Sequence, residues 1–287
     1  MASLDLAHTS SFKGGSETFL RNVFENILKT YLRKNPTTKR IWELIQSLDN
    51  EKICYDHFTF MTLKVDSYGI DSLSSFFMNY GYKIGLWFSP PDVIVPDDGH
   101  GLGNGPLPRL VMGEILVDEL SPESQAIIRK YLKPEGGKQA LLSSILGSLI
   151  WEKPTWSEFK QIAEENELAA WAFINGYTLN HLAFAAHRLK HVLEHGFDLN
   201  HDGGVLKVST DGLLLQVSSI SEKLPVEFAD GVTKLVPASY IEFTDRLVLP
   251  QFKELPYDQI KEFHRREDFA LNNADNILES SRFTSNV

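Results

Sequence analysis

Three residues carry the chemistry that this sequence offers: His57, His181 and Glu242. Tyr55 to Val65 and Ala238 to Phe243 are rich in aromatic and β-branched residues, and Trp171 to Ala185 reads as a strand as well. Alternate residues of a strand share a face. His57 therefore goes with Thr59, Met61 and Leu63, and His181 with Ala183 and Ala185. Tyr240, Glu242, Thr244 and Arg246 share a third face if that strand continues past Phe243. Each set joins one potential ligand to small side chains, which leaves room at a centre. Two imidazoles and one carboxylate form a facial set for octahedral Fe(II). Three positions stay open, two for a 2-oxo acid and one for dioxygen. Zinc accepts the same donors, usually in tetrahedral geometry. The three residues are too far apart for any short pattern to link them. A single strand histidine is more often a satisfied core residue than a ligand, and a glutamate near a turn is more often solvated.

A second histidine cluster is easier to see. His187, His191 and His195 recur every four residues on one expected helix, Ala186 to Glu194 and just beyond. Lys190 and Glu194 beside them suit a solvent-facing stripe without a ligand. His8, His100, His201 and His264 fall in loops or in the tail. Cys54, the single cysteine, sits between Ile53 and Tyr55 and reads as a buried structural thiol in a reducing compartment. Residues 90–108 alternate prolines with glycines, which predicts a long loop of the kind that forms lids. A phosphate-loop reading fails there because no Lys-Ser/Thr pair follows.

The elements that must position these residues follow from periodicity. Amphipathic helices are expected over 16–33, with Ser16 as N-cap, and over 38–48. After the first strand come a helix over Ser72 to Tyr80, a strand over Tyr82 to Ser89 and another over Leu110 to Val117. Helices follow from Ser121-Pro122 to about Leu132 and at about 137–148 and 155–170. Strands return over Leu206 to Val208, Leu213 to Ser218, Pro225 to Phe228, Thr233 to Val236 and Ala238 to Phe243. From Tyr257 the tail reads as helical and polar. A strand opened by histidine, a helix, a glycine and a further strand occur twice, at Asp56-His57 through Gly81 and at Asn180-His181 through Gly196. Two such units can form paired halves of one curved sheet, each giving its histidine to a shared pocket.

Composition sets limits. The 287 residues are 43% hydrophobic with a formal net charge of -10, enough for a large core and wrong for a nucleic-acid binder, which needs clustered Lys and Arg. No apolar run is long enough to span a membrane as a helix. The first eleven residues lack a signal-peptide core and fit at most the remnant of an organelle-targeting peptide. Cytoplasm or a plastid or other organelle matrix is the expected location.

Five stretches in order resemble the 2-oxoadipate dioxygenase/decarboxylase family. They are Tyr55-Asp56-His57-Phe58-Thr59-Phe60-Met61-Thr62, Leu107-Pro108-Arg109, Asn175 to His181, Leu213 to Ser219 and Ser239 to Arg246; the tail from Asn273 to Ser281 is similar too. The resemblance implies an α+β fold: two vicinal-oxygen-chelate-like βαβ-type halves forming a curved mixed sheet around a central metal pocket, with added helices. One domain over 1–287 would comprise N-terminal helices 16–48, a first half at about 53–118, a helical insert at about 121–170, a second half at about 171–246 and a tail, 247–287. It implies Fe(II) on His57, His181 and Glu242, and oxidative decarboxylation and hydroxylation of 2-oxoadipate by dioxygen to 2-hydroxyglutarate and carbon dioxide, a step of lysine breakdown.

Gln216 is expected to hydrogen-bond an oxygen of the bound acid. Arg246 is expected to hold a carboxylate or to brace Glu242. The family's usual arginine four residues after the first ligand histidine is Met61 here, and Arg266-Glu267-Asp268-Phe269 replaces a more usual Arg-x-Gly-Phe. Met61 should line the pocket about 13 Å along the strand from His57, which points either to a less acidic 2-oxo acid or to another cation, Arg246, Arg109 or Arg188, in the missing role. Two alternatives keep the scaffold: a metal-dependent lyase or isomerase, and a non-catalytic metabolite-binding protein.

Overall fold

The computed structural model describes residues 14–48, 53–84, 88–89, 102, 105–133, 139–189, 199–201 and 203–283. An eight-stranded mixed sheet organises them. Its strands are β1 (Tyr55–Leu63), β2 (Lys83–Ile84), β3 (Phe88–Ser89), β4 (Arg109–Ile115), β5 (Leu179–Ala185), β6 (Lys207–Val208), β7 (Leu214–Ser218) and β10 (Tyr240–Arg246), in the order β2-β3-β4-β1-β5-β10-β7-β6. A separate hairpin, β8 (Lys223–Glu227) and β9 (Thr233–Pro237), is inserted between β7 and β10. The order is a repeat read outward from the middle. β1 pairs parallel with β4 and β5 parallel with β10, and β1 meets β5 antiparallel at the join. Each half thus places its first strand at the centre and its last strand beside it, and the sheet curls into a half-barrel.

Alternation gives the sheet two unlike faces. Phe58, Phe60, Leu182, Phe184 and Ile241 are fully buried. Their side of the sheet is covered by helices α1 (Gly14–Lys34), α2 (Pro36–Leu48), α3 (Gly69–Asn79) and α7 (Glu167–Asn175). Phe24 of α1 packs edge-on to Phe58, with ring centroids 5.7 Å apart. Burying one large apolar side chain contributes about 1.5–3 kcal/mol, so this layer supplies most of the fold's driving force. Helices α4 (Pro122–Tyr131), α5 (Ala140–Leu146) and α6 (Trp156–Glu165) form the insert, and α8 (Leu271–Leu278) lies in the tail. Thr155 and Glu158 close a capping box at the start of α6. No helix among the described residues is long and apolar enough to cross a membrane.

Four expectations need correction. The strand expected from Trp171 begins only at Leu179; Glu167–Asn175 is helix α7, capped by Asn166 and ended by Gly176 at φ 62°. Every residue from Ala169 to Ile174 is buried, and a helix apolar on all sides has no periodicity to separate it from a buried strand. After β5 the chain makes only a 3-10 turn, Ala186–Arg188, instead of starting a helix that runs on; 190–198, with His191 and His195, lie outside the described residues. The strand expected over Tyr82 to Ser89 is two short pieces, β2 and β3. The tail from Tyr257 is mostly 3-10 turns and extended chain before α8. Of the proline- and glycine-rich loop, 90–101 and 103–104 lie outside the described residues. Arg21 of α1 donates to the carbonyls of Leu102 and Gly105 at its far end, at 3.0 and 2.9 Å.

Candidate metal centre

The sheet register brings the three candidate residues together. Glu242 pairs with Ala183, and Ala183 with His57, so the small Ala183 lies between them in one row. In the next row Tyr240 pairs with His181 and His181 with Thr59. His57 Nε2 lies 3.3 Å from His181 Nε2 and 3.7 Å from Glu242 Oε2, and His181 Nε2 lies 3.3 Å from the same oxygen. All three residues are buried, and they are the one group of this kind found among the described residues.

Two β-bulges orient the imidazoles. β1 and β5 slip register between Tyr55 and His57 and again opposite Leu179 and His181, so that Asp56 and Asn180 are the extra residues. Each extra residue turns to hold the histidine that follows it. His57 Nδ1 donates to Asp56 Oδ2 at 2.9 Å, and His181 Nδ1 donates to Asn180 Oδ1 at 2.9 Å. These partner oxygens can only accept, so both Nε2 atoms are left to present lone pairs inward. On the carboxylate, Gln216 Nε2 donates to Oε1 at 2.7 Å and Thr244 Oγ1 donates to the same atom. Oε2 accepts no hydrogen bond.

Three lone-pair atoms therefore face one another in a buried site, an arrangement that a cation or shared protons would stabilise. The donor set, two imidazoles and one carboxylate, fits a divalent transition metal. Burial opposes ionisation of Glu242, yet the two imidazoles outweigh it and hold the carboxyl well below the usual carboxylate range. Burial also opposes charge on His57, but Glu242 and Asp56 leave its pKa raised; for His181 burial prevails and the pKa is lowered. Asp56 pays the same desolvation penalty and is kept ionised by Arg246 and Arg109.

The two halves are not equivalent. Arg109 of β4 pairs with His57 as Tyr240 of β10 pairs with His181, so Val111 occupies in the first half the place of Glu242 in the second. The site thus has three candidate ligands, where a strict repeat would give four.

The other expected site residues are placed as follows. Gln216 is buried and is engaged by Glu242 and by Asn273, whose Nδ2 donates to Gln216 Oε1 at 2.9 Å. Arg246 does not brace Glu242. Its Nε and Nη2 grip Asp56 at 2.6 and 3.0 Å, because the bulge turns that carboxylate onto the Arg246 face. Met61 is 3% exposed and packs across β4, where a Cβ built on Gly113 would lie 2.7 Å from its sulfur. His187 faces Glu262 at 3.2 Å. The roles of Asp56, Asn180 and Asn273 escape the sequence, and for Thr244 only its place on the Glu242 face is legible; the polar residue immediately before each histidine is the signal available for the first two.

Asp56 and Arg246 are both fully buried. Removing one partner of such a pair leaves an uncompensated charge, which costs about 3–5 kcal/mol. Arg246→Ala should lower the free energy of urea-induced unfolding by that amount, whereas loss of the exposed Arg129–Asp118 pair should change it by less than about 1 kcal/mol.

A family model described as 2-oxoadipate dioxygenase/decarboxylase matches residues 121–262, a span that holds His181 and Glu242. The chloroplastic 2-oxoadipate dioxygenase/decarboxylase of Arabidopsis thaliana is 47% identical, over 98% of this chain and 82% of its own length. The chain belongs to the 2-oxoadipate dioxygenase/decarboxylase family. A second relative of that family, the chloroplastic/amyloplastic enzyme of Oryza sativa subsp. japonica, is 48% identical over 98% of this chain and 83% of its own. The crystal structure of hydroxyglutarate synthase in complex with 2-oxoadipate from Oryza sativa superposes with a TM-score of 0.91 at 46% identity, covering 99% of both chains. A putative glyoxalase superfamily protein from Ralstonia eutropha shares the fold at a TM-score of 0.57 and 15% identity. The family therefore has here the α+β curled-sheet architecture that its resemblance implied.

Proposed function

We propose that this chain is an Fe(II)-dependent dioxygenase that oxidatively decarboxylates and hydroxylates a 2-oxo acid, either 2-oxoadipate or a related, less acidic one. The observation that carries the reading is the convergence of His57 Nε2, His181 Nε2 and Glu242 Oε2, in a chain nearly half identical to relatives named for this reaction. For 2-oxoadipate the balance is one dioxygen consumed and one carbon dioxide and one 2-hydroxyglutarate formed. Fe(II) on these residues would supply a chelating site for the 2-oxo acid and one-electron chemistry toward dioxygen. The chain's own residues do the rest. Asp56 and Asn180 fix the imidazole tautomers, and Gln216 and Thr244 occupy Oε1 so that Oε2 alone is offered. The buried hydroxyls of Thr59 and Tyr240 have no hydrogen-bond partner and sit on the same sheet face, available to polar atoms of the acid. The plastid names of the relatives support a plastid location.

The test is anaerobic loading with Fe(II), then oxygen consumption across a panel of 2-oxo acids with mass analysis of products. Oxygen uptake matched by carbon dioxide and a 2-hydroxy acid one carbon shorter is expected. An iron-loaded protein that consumes no oxygen with any 2-oxo acid would leave the lyase or isomerase alternative.

A further inference from the structure

Each of the three converging residues has a buried polar partner, and all three partners are tied to one stretch near the end of the chain. His57 is held by Asp56, and Asp56 by Arg246, whose Nη1 donates to the carbonyls of Arg266, Glu267 and Asp268 at 3.1, 2.7 and 3.2 Å. His181 is held by Asn180, whose Nδ2 donates to Ser281 Oγ at 3.2 Å. Glu242 is held by Gln216, and Gln216 by Asn273. The same stretch lays Phe269 over the Arg246 guanidinium at 4.7 Å and edge-on to the His57 ring at 4.9 Å. Its far end is pinned by Asn200, which donates to Asn276 O and Ser280 Oγ, each at 2.7 Å.

Resting on the metal-centre reading, we propose that residues 266–281 form a strap whose docking sets the geometry of all three ligands, with Asn273 and Ser281 as positioning residues. Linkage is reciprocal: a docked strap raises metal affinity, and a bound metal holds the strap down by the same factor. Neither residue touches the centre. Each acts on a ligand through one intervening amide; losing a group bonded directly to a ligand typically costs about 10–100-fold in metal affinity, and losing one a bond further out should cost less.

The experiment uses the full-length protein with Co(II). Amide hydrogen exchange is compared without and with the metal. Exchange across 266–281 should slow about 10-fold or more on loading, while the β8–β9 hairpin, which supplies none of these contacts, should not change. Asn273→Asp and Ser281→Ala should weaken Co(II) binding by up to about 10-fold, the lower end of the range for direct partners of a ligand, and shift its visible absorption bands, and Ser281→Thr, which keeps a hydroxyl, should restore both. A carboxylate at 273 has no N–H for Gln216, whose amide must turn and oppose its own oxygen to Glu242. Tight Co(II) binding with unchanged exchange across the strap would overturn the inference and leave the metal centre intact, and the exchange comparison needs no variant to fold. Absence of Co(II) binding by the unaltered protein would overturn both.

Discussion

Replacing His57, His181 or Glu242 singly by Ala will reduce turnover to background and leave the protein unable to retain iron through gel filtration. Each substitution removes one of the three donor atoms found among the described residues, and Val111 supplies none from the position that mirrors Glu242. Glu242→Ala has a second effect: it withdraws the one carboxylate among the described residues whose free oxygen faces the centre, so a divalent cation there would lose its compensating charge. The fold should survive all three changes. Asp56 keeps its contacts to Arg246 when His57 is lost, and Gln216 keeps Asn273 when Glu242 is lost. Iron content measured beside the far-UV circular dichroism spectrum separates loss of metal from loss of structure. Stoichiometric iron in the triple variant would refute the assignment. The other histidine cluster would be a weak substitute, since His187 already faces Glu262.

Met61→Arg will raise kcat/KM for 2-oxoadipate relative to an apolar-tailed 2-oxo acid by about 10- to 100-fold, the equivalent of one charge-assisted hydrogen bond of about 1.5–3 kcal/mol. Met61 shares the β1 face of His57 and Thr59 and is buried over Gly113, which has no side chain to block it. A long unbranched side chain can follow the same path. The three arginines able to take over the missing charge are all engaged: Arg246 by Asp56, Arg109 by Glu267 at 2.8 Å, and Arg188 by Glu262 at 3.8 Å. The unaltered protein should therefore favour apolar tails, which a flexible thioether accommodates. Specificity constants for both acids, in wild type and variant, decide the matter. Efficient use of 2-oxoadipate by the wild type, with Met61→Arg no better, would mean that another cation receives the distal carboxylate.

Aromatic and β-branched enrichment, with alternation where one face is exposed, was enough to place β1, β4, β7 and β10 within a few residues. Periodicity failed at α7, where burial on all sides erases it, and at Ala186–Arg188, a 3-10 turn where a helix was expected to begin. The face shared by His57 and Thr59 could be read from spacing alone. The role of Asp56 could not, since simple alternation puts it on the opposite face and only the bulge reverses that. Arg246 falls on the expected face of Glu242, but its grip on Asp56 is hidden from spacing for the same reason. The contacts from Asn273 and Ser281 join residues tens to a hundred positions apart, and no local pattern announces them.

The mismatch between Val111 and Glu242 gives the centre a direction. Behind it, on the second half, stand the carboxylate and the amide and hydroxyl groups that hold it. On the first half Val111 is only half-buried and Gly113 adds no bulk. Asp56 is cancelled there by two guanidinium groups. An anionic acid lying toward Val111 meets less fixed negative charge at the centre than one lying toward Glu242, which repels it. By leaving one of four equivalent positions uncharged, the duplicated scaffold makes the two sides of the centre electrostatically unlike.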